Sequence, residues 1–132
     1  MKAKNKNTVY TTGLNELARQ FHERAKEKGF WDEERETGTL LMLIVSELSE
    51  ALEADRKNNH SNMPFFNFDV DAGDSFEDAF KKNIKDTFED EIADVAIRLL
   101  DLVGKMGIDI EKHISLKMQY NATRQYKHGK AY

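Results

Sequence analysis

The sequence has no cysteine, a single proline and no long apolar run, and each shortage removes a class of protein. Without cysteine there is no disulfide scaffold, no redox CxxC pair and no thiolate zinc site, which fits a reducing interior and makes the cytoplasm the expected location. The longest apolar run, Leu40 to Val45, falls far short of the ~20 residues of a membrane span. The start, Met1 to Thr8, carries lysines with no apolar stretch behind them and does not read as a secretory signal. Excess positive charge is also missing. Twenty Lys and Arg stand against twenty-four Asp and Glu, so no overall positive field draws the chain to duplex nucleic acid. Strand-like alternation, internal repeats and low-complexity runs are absent as well. The expectation is a soluble all-α protein that binds neither membrane nor duplex nucleic acid.

At 132 residues with 39% hydrophobic content, the chain predicts one compact domain over 1–132, long enough to bury roughly two-thirds of its unfolded surface. Leu14, Leu17, Ala18, Phe21 and Ala25 follow helical spacing, which predicts a helix over 13–28 with Thr12 as N-cap and Gly29 as stop. Leu40, Leu41, Ile44, Val45, Leu48, Ala51 and Leu52 predict a second over 39–56. A third begins at Phe88 and ends at Gly104 or Gly107, with Thr87 and Asp90 resembling a capping box. Asp109 is placed to cap a fourth, which carries Ile110, Ile114, Lys117, Met118 and Asn121. Between the second and third helices, about 57–86 reads as an inserted lid holding Pro64, the aromatics Phe65, Phe66 and Phe68, and a short amphipathic stretch at Phe76, Ala79, Phe80 and Ile84. Its Asp69-Val-Asp71-Ala-Gly73-Asp74 invites an EF-hand reading. That loop needs glycine at its sixth position and glutamate at its twelfth, where this chain has Asp74 and Phe80, so calcium is rejected.

Some carboxylates sit on apolar faces. On a helical wheel Glu47 falls inside the apolar arc of the second helix, between Ala54, Leu40 and Ala51, and Glu50 lies at its edge beside Leu43. An ionised carboxylate there costs several kcal/mol unless compensated, so something positive is expected to face Glu47. The third helix repeats the arrangement with Glu91 and Asp94, its stripe extended by Arg98 and Asp101. Either pair alone reads as a solvated face in an acid-rich chain; two pairs on apolar borders read as a metal site. An all-oxygen cluster suits Mg²⁺, a hard ion that binds through carboxylates together with substrate phosphates. No Glu-x-x-His pair occurs to favour a di-iron centre.

On the last helix Lys117, Asn121 and Arg124 share a narrow stripe fit to hold a phosphate chain, and Lys127, His128 and Lys130 follow in a basic tail. Basic residues there also complement the helix macrodipole, an equally good account of Lys127 and Lys130. Trp31 is either an aromatic plate for a base or a core anchor. His22, His60, His113 and His128 share no ligand spacing and are given no catalytic role.

Glu47-Leu-Ser-Glu50 and Glu91-Ile-Ala-Asp94 resemble the ExxE…ExxD signature of the MazG-type all-α nucleoside triphosphate pyrophosphohydrolases. The resemblance extends to Phe30-Trp31 and to the closing Lys117-x-x-x-Asn121-x-x-Arg124 helix. It implies a MazG-like bundle of four main helices with an inserted aromatic segment and a short helix between the two acidic helices, and Glu47, Glu50, Glu91 and Asp94 as Mg²⁺ ligands, with Mn²⁺ as an alternative ion. It further implies that Glu47 or Glu50 orients or deprotonates the attacking water, and that Lys117, Asn121 and Arg124 contact phosphate or sugar. The implied reaction converts a modified or deoxynucleoside triphosphate to monophosphate and pyrophosphate, in a homodimer or homotetramer. The connection from Glu50 to Glu91 is longer than the family's, so base specificity does not carry over. A phosphoribosyl-ATP pyrophosphohydrolase, a dUTPase-like enzyme and a non-catalytic helical interaction module are the competing expectations.

Overall fold

The computed structural model describes residues 13–124 and contains six helices: α1 (Leu14–Glu27), α2 (Thr37–Arg56), α3 (Met63–Asp71), α4 (Phe76–Asn83), α5 (Phe88–Met106) and α6 (Ile110–Ala122). No strand occurs among the described residues, so the all-α expectation holds. No helix among them is long and apolar enough to cross a membrane. The expected cap Thr12 and the tail residues Lys127, His128 and Lys130 lie outside the described residues; Gly13 takes the N-cap position of α1. These helices fall into two compact units, one of the described residues up to Phe30 and from Leu100 onward, the other Trp31–Leu99.

In the unit Trp31–Leu99, α2 buries Ile44, Ala51 and Ala54, one sector of its apolar arc. The adjoining sector, Leu41, Val45, Leu48 and Leu52, stays 47–48% exposed. The predicted arc is therefore split, because the described residues supply packing partners for only part of its width.

Between α2 and α5 the sequence expectation undercounts the helices. α3 is a full helix where only an aromatic cluster was expected. Its start uses two standard devices: the Asn62 side chain accepts a hydrogen bond from the Phe65 amide at 3.0 Å, and Pro64 sits in the first turn, where its missing N–H costs nothing. Gly73, with φ +104°, turns the chain toward α4, which Ser75 caps through the Asp78 amide at 3.1 Å. α3 and α4 pack together, with the Phe76 ring edge-on to Phe66 at 6.0 Å and tilted against Phe80 at 5.8 Å. Asp69, from the rejected calcium loop, is buried; it accepts a hydrogen bond from Asn83 Nδ2 at 2.7 Å and pairs with Lys82 at 3.6 Å.

The start of α5 carries the expected capping geometry, with Thr87 Oγ1 accepting from the Asp90 amide at 3.4 Å. Asp90 reaches back to the Asp86 amide at 2.9 Å, one residue earlier than the usual reciprocal partner.

In the other unit α1 packs on α6, and Ala18, Leu102 and Val103 are buried. Gly104 is required by this approach: a Cβ there would stand 2.5 Å from the Ala18 carbonyl oxygen and 2.8 Å from His22 Cβ. Asp109 caps α6 as expected, accepting from the Lys112 amide at 3.1 Å and also from Asn15 Nδ2 of α1 at 2.8 Å. His22 Nδ1 lies 2.8 Å from Asp101 Oδ1. Beside that pair runs an open groove of about 440 Å³, lined among others by Asn15, Arg19, Lys26 and Ile108.

Candidate metal centre

Glu47, Glu50 and Glu91 come together within the unit Trp31–Leu99. Each offers a carboxylate oxygen, and these oxygens lie within 4.8 Å of one another. The i, i+3 spacing of Glu47 and Glu50 puts both on one side of α2. Glu91 reaches the same place from the first turn of α5, where a carboxylate also meets the positive end of the helix macrodipole. Asp94, expected as a fourth ligand, does not belong to this converging set. It remains close enough to feel the cluster. Its carboxyl is raised above its ordinary pKa first by burial, then by the charges of Asp90 and Glu47, with Arg98 pulling the other way.

Glu91 carries the largest strain of the group. Only 5% of it is exposed, and its Oε2 has no hydrogen-bond partner. Burial first, then a hydrogen bond to Glu50 and the charges of Glu50, Asp94 and Glu47, push its carboxyl up to about 7. A buried oxygen without a partner is costly and uncommon in native structures, so it requires an explanation. A hard cation among three carboxylates supplies one, since it would satisfy that oxygen and neutralise the charge that the neighbours impose. The donor set is all oxygen, as Mg²⁺ or Mn²⁺ requires.

The positive partner expected for Glu47 is Arg98, one turn beyond Asp94 on α5. Its Nε donates to Glu47 Oε1 at 2.7 Å. Arg98 was visible in the sequence as part of the acidic stripe, but its pairing across helices was not. A further acidic group, Asp86, Asp90 and Glu91, gathers at the start of α5. Two of its members are already engaged: Asp90 accepts from the Asp86 amide at 2.9 Å, and Asp86 pairs with Lys85 at 3.0 Å.

Of the other expected site residues, Trp31 is half-buried in the turn between α1 and α2. Lys117, Asn121 and Arg124 are exposed, on or just beyond α6 in the other unit. Lys117 Nζ lies 5.1 Å from the centre of the Tyr120 ring, and the Arg124 guanidinium lies 5.6 Å from it, so both cations engage the same ring. His60 Nδ1 stands 3.0 Å from Glu89, and its ring meets Phe88 edge-on.

No family model matches the chain, and searches against characterised proteins and solved structures likewise find no match.

Proposed function

We propose that this protein is a Mg²⁺-dependent nucleoside triphosphate pyrophosphohydrolase of the MazG-like kind, releasing monophosphate and pyrophosphate and so trimming the cytoplasmic pool of modified or deoxynucleoside triphosphates. The observation that carries this reading is the convergence of Glu47, Glu50 and Glu91 around a buried Glu91 oxygen without a partner. Glu47, Glu50 and Glu91 would hold the ion, with Asp94 at the border of the site. When bound, Mg²⁺ supplies charge neutralisation on the phosphates and activation of water for in-line attack on phosphorus.

The chain's own groups divide the remaining work. Glu50 is exposed, whereas Glu47 is engaged by Arg98, and this favours Glu50 as the residue that orients or deprotonates the attacking water. Trp31, in the same unit as the cluster, is the proposed plate for the base. The half-exposed stripe Leu41, Val45, Leu48 and Leu52 supports assembly as a homodimer or homotetramer.

The test is a panel of standard and modified nucleoside triphosphates, phosphoribosyl-ATP and dUTP included, with Mg²⁺ or Mn²⁺ and a pyrophosphate readout. Turnover on at least one substrate, reduced at least about a hundredfold in Glu50→Gln, is the expected result. A flat panel favours the second reading, a non-catalytic helical module. The Arg98–Glu47 pair lends that reading some weight, because it already compensates one of the acids without any ion.

A further inference from the structure

Arg98 is held by one nitrogen. Nε bonds Glu47 Oε1 at 2.7 Å, while the two terminal nitrogens of the guanidinium donate to no described residue. The exposures of the partners differ: the Glu47 side chain is 12% exposed and that of Arg98 42%. The carboxylate is thus largely buried and the cation partly exposed, with one donor of its fork engaged among the described residues. A guanidinium has five donors in a planar fork that matches two oxygens of a phosphate. Using one of them on a carboxylate is an undersized task for it.

Charge accounts for the pairing. Glu47 faces the carboxylates of Glu50 and Glu91 within 4.8 Å, and Asp94 adds its charge from the border. With no cation among them, Glu47 needs a counter-ion, and among the described residues Arg98 is the one that reaches it. A divalent cation held by the same three carboxylates removes that need and brings a polyanion to the place where the guanidinium already sits.

We propose that Arg98 is an exchangeable counter-ion: it neutralises Glu47 while the cluster is empty, and yields Glu47 to the divalent cation to take up a phosphate oxygen of the incoming polyphosphate. The inference rests on the proposed function and deepens it, because it assigns a phosphate contact from within the acidic helix itself. The exchange breaks one hydrogen bond and forms one or two others, and no covalent bond changes.

Two probes test it without turnover: Mn²⁺ alone, and inorganic tripolyphosphate in the presence of saturating Mn²⁺, both by calorimetry on the full chain, with Arg98→Gln and Arg98→Lys compared with the unaltered protein. Removing a competing, partly exposed ion pair should tighten Mn²⁺ binding roughly three- to fivefold in Arg98→Gln. The same variant should weaken tripolyphosphate binding about tenfold or more, with Arg98→Lys recovering part of the loss. Mn²⁺ binding that weakens or stays unchanged in Arg98→Gln overturns the exchange, since it makes Arg98 a support for Glu47 or a bystander. Tripolyphosphate binding that is unaffected overturns the phosphate contact. If the unaltered protein binds no Mn²⁺ at all, the metal reading itself fails. Should Arg98→Gln lose its helical circular dichroism, Arg98→Lys carries the test: it keeps the charge but not the fork, so it should leave Mn²⁺ affinity near normal and still weaken tripolyphosphate, and an undiminished affinity for tripolyphosphate overturns the proposal.

Discussion

A single carboxyl, that of Glu91, sets the energetics of the acidic cluster. In the folded chain without metal it keeps its proton up to about 7, whereas its ordinary value is 4.5. The folded state therefore binds the extra proton between those values, and the stabilisation this brings is complete below about 4.5 and is lost as pH rises through about 7. This is opposite in sign to a salt-bridged carboxylate, whose contribution disappears in acid. Glu91→Gln removes the charge while keeping the shape. In the presence of a chelator at pH 8 it should melt higher than the unaltered protein by about 3–6 °C, and the gap should close as pH falls below about 5. A variant that melts lower at pH 8 would show that the ionised carboxylate is stabilised by a partner other than a metal.

At the scale of elements, periodicity made four helices legible, since α1, α2, α5 and α6 begin and end within about two residues of the expected bounds. α3 was not, because its nine residues are too short and too aromatic to show a stripe, and Pro64 reads as a breaker unless Asn62 is recognised as the cap before it. The site was legible for a similar reason and to a similar extent. An i, i+3 spacing fixes that Glu47 and Glu50 share a side of α2, but the partners of each acid depend on how α2 and α5 meet, which a single sequence does not state. That is why the pairing of Arg98 with Glu47 is not legible in the sequence. Packing also fixes the role of Gly104. A methyl group there meets the Ala18 carbonyl, which is backbone and cannot swing aside, so Gly104→Ala should cost about 1–3 kcal/mol. Urea titration should show a lower midpoint at an unchanged slope. An unaffected midpoint would mean that α1 and the end of α5 have room to separate.

At the scale of the whole molecule, α2 leaves an apolar stripe half-exposed. Leu41, Val45, Leu48 and Leu52 recur at spacings of four, three and four, the pattern of a seam between helices. The protein should sediment as an oligomer, and Leu48→Glu should shift it to a smaller species while leaving its helical content intact. An unaltered protein that sediments as a monomer would remove that stripe as an assembly surface. The central claim, one divalent cation shared by Glu47, Glu50 and Glu91, is met most directly by calorimetric titration of the chelator-treated protein with Mn²⁺ near pH 7.5. One ion bound per chain, with binding abolished in Glu91→Gln, is the predicted result; no binding, or binding that Glu91→Gln leaves unchanged, would contradict it.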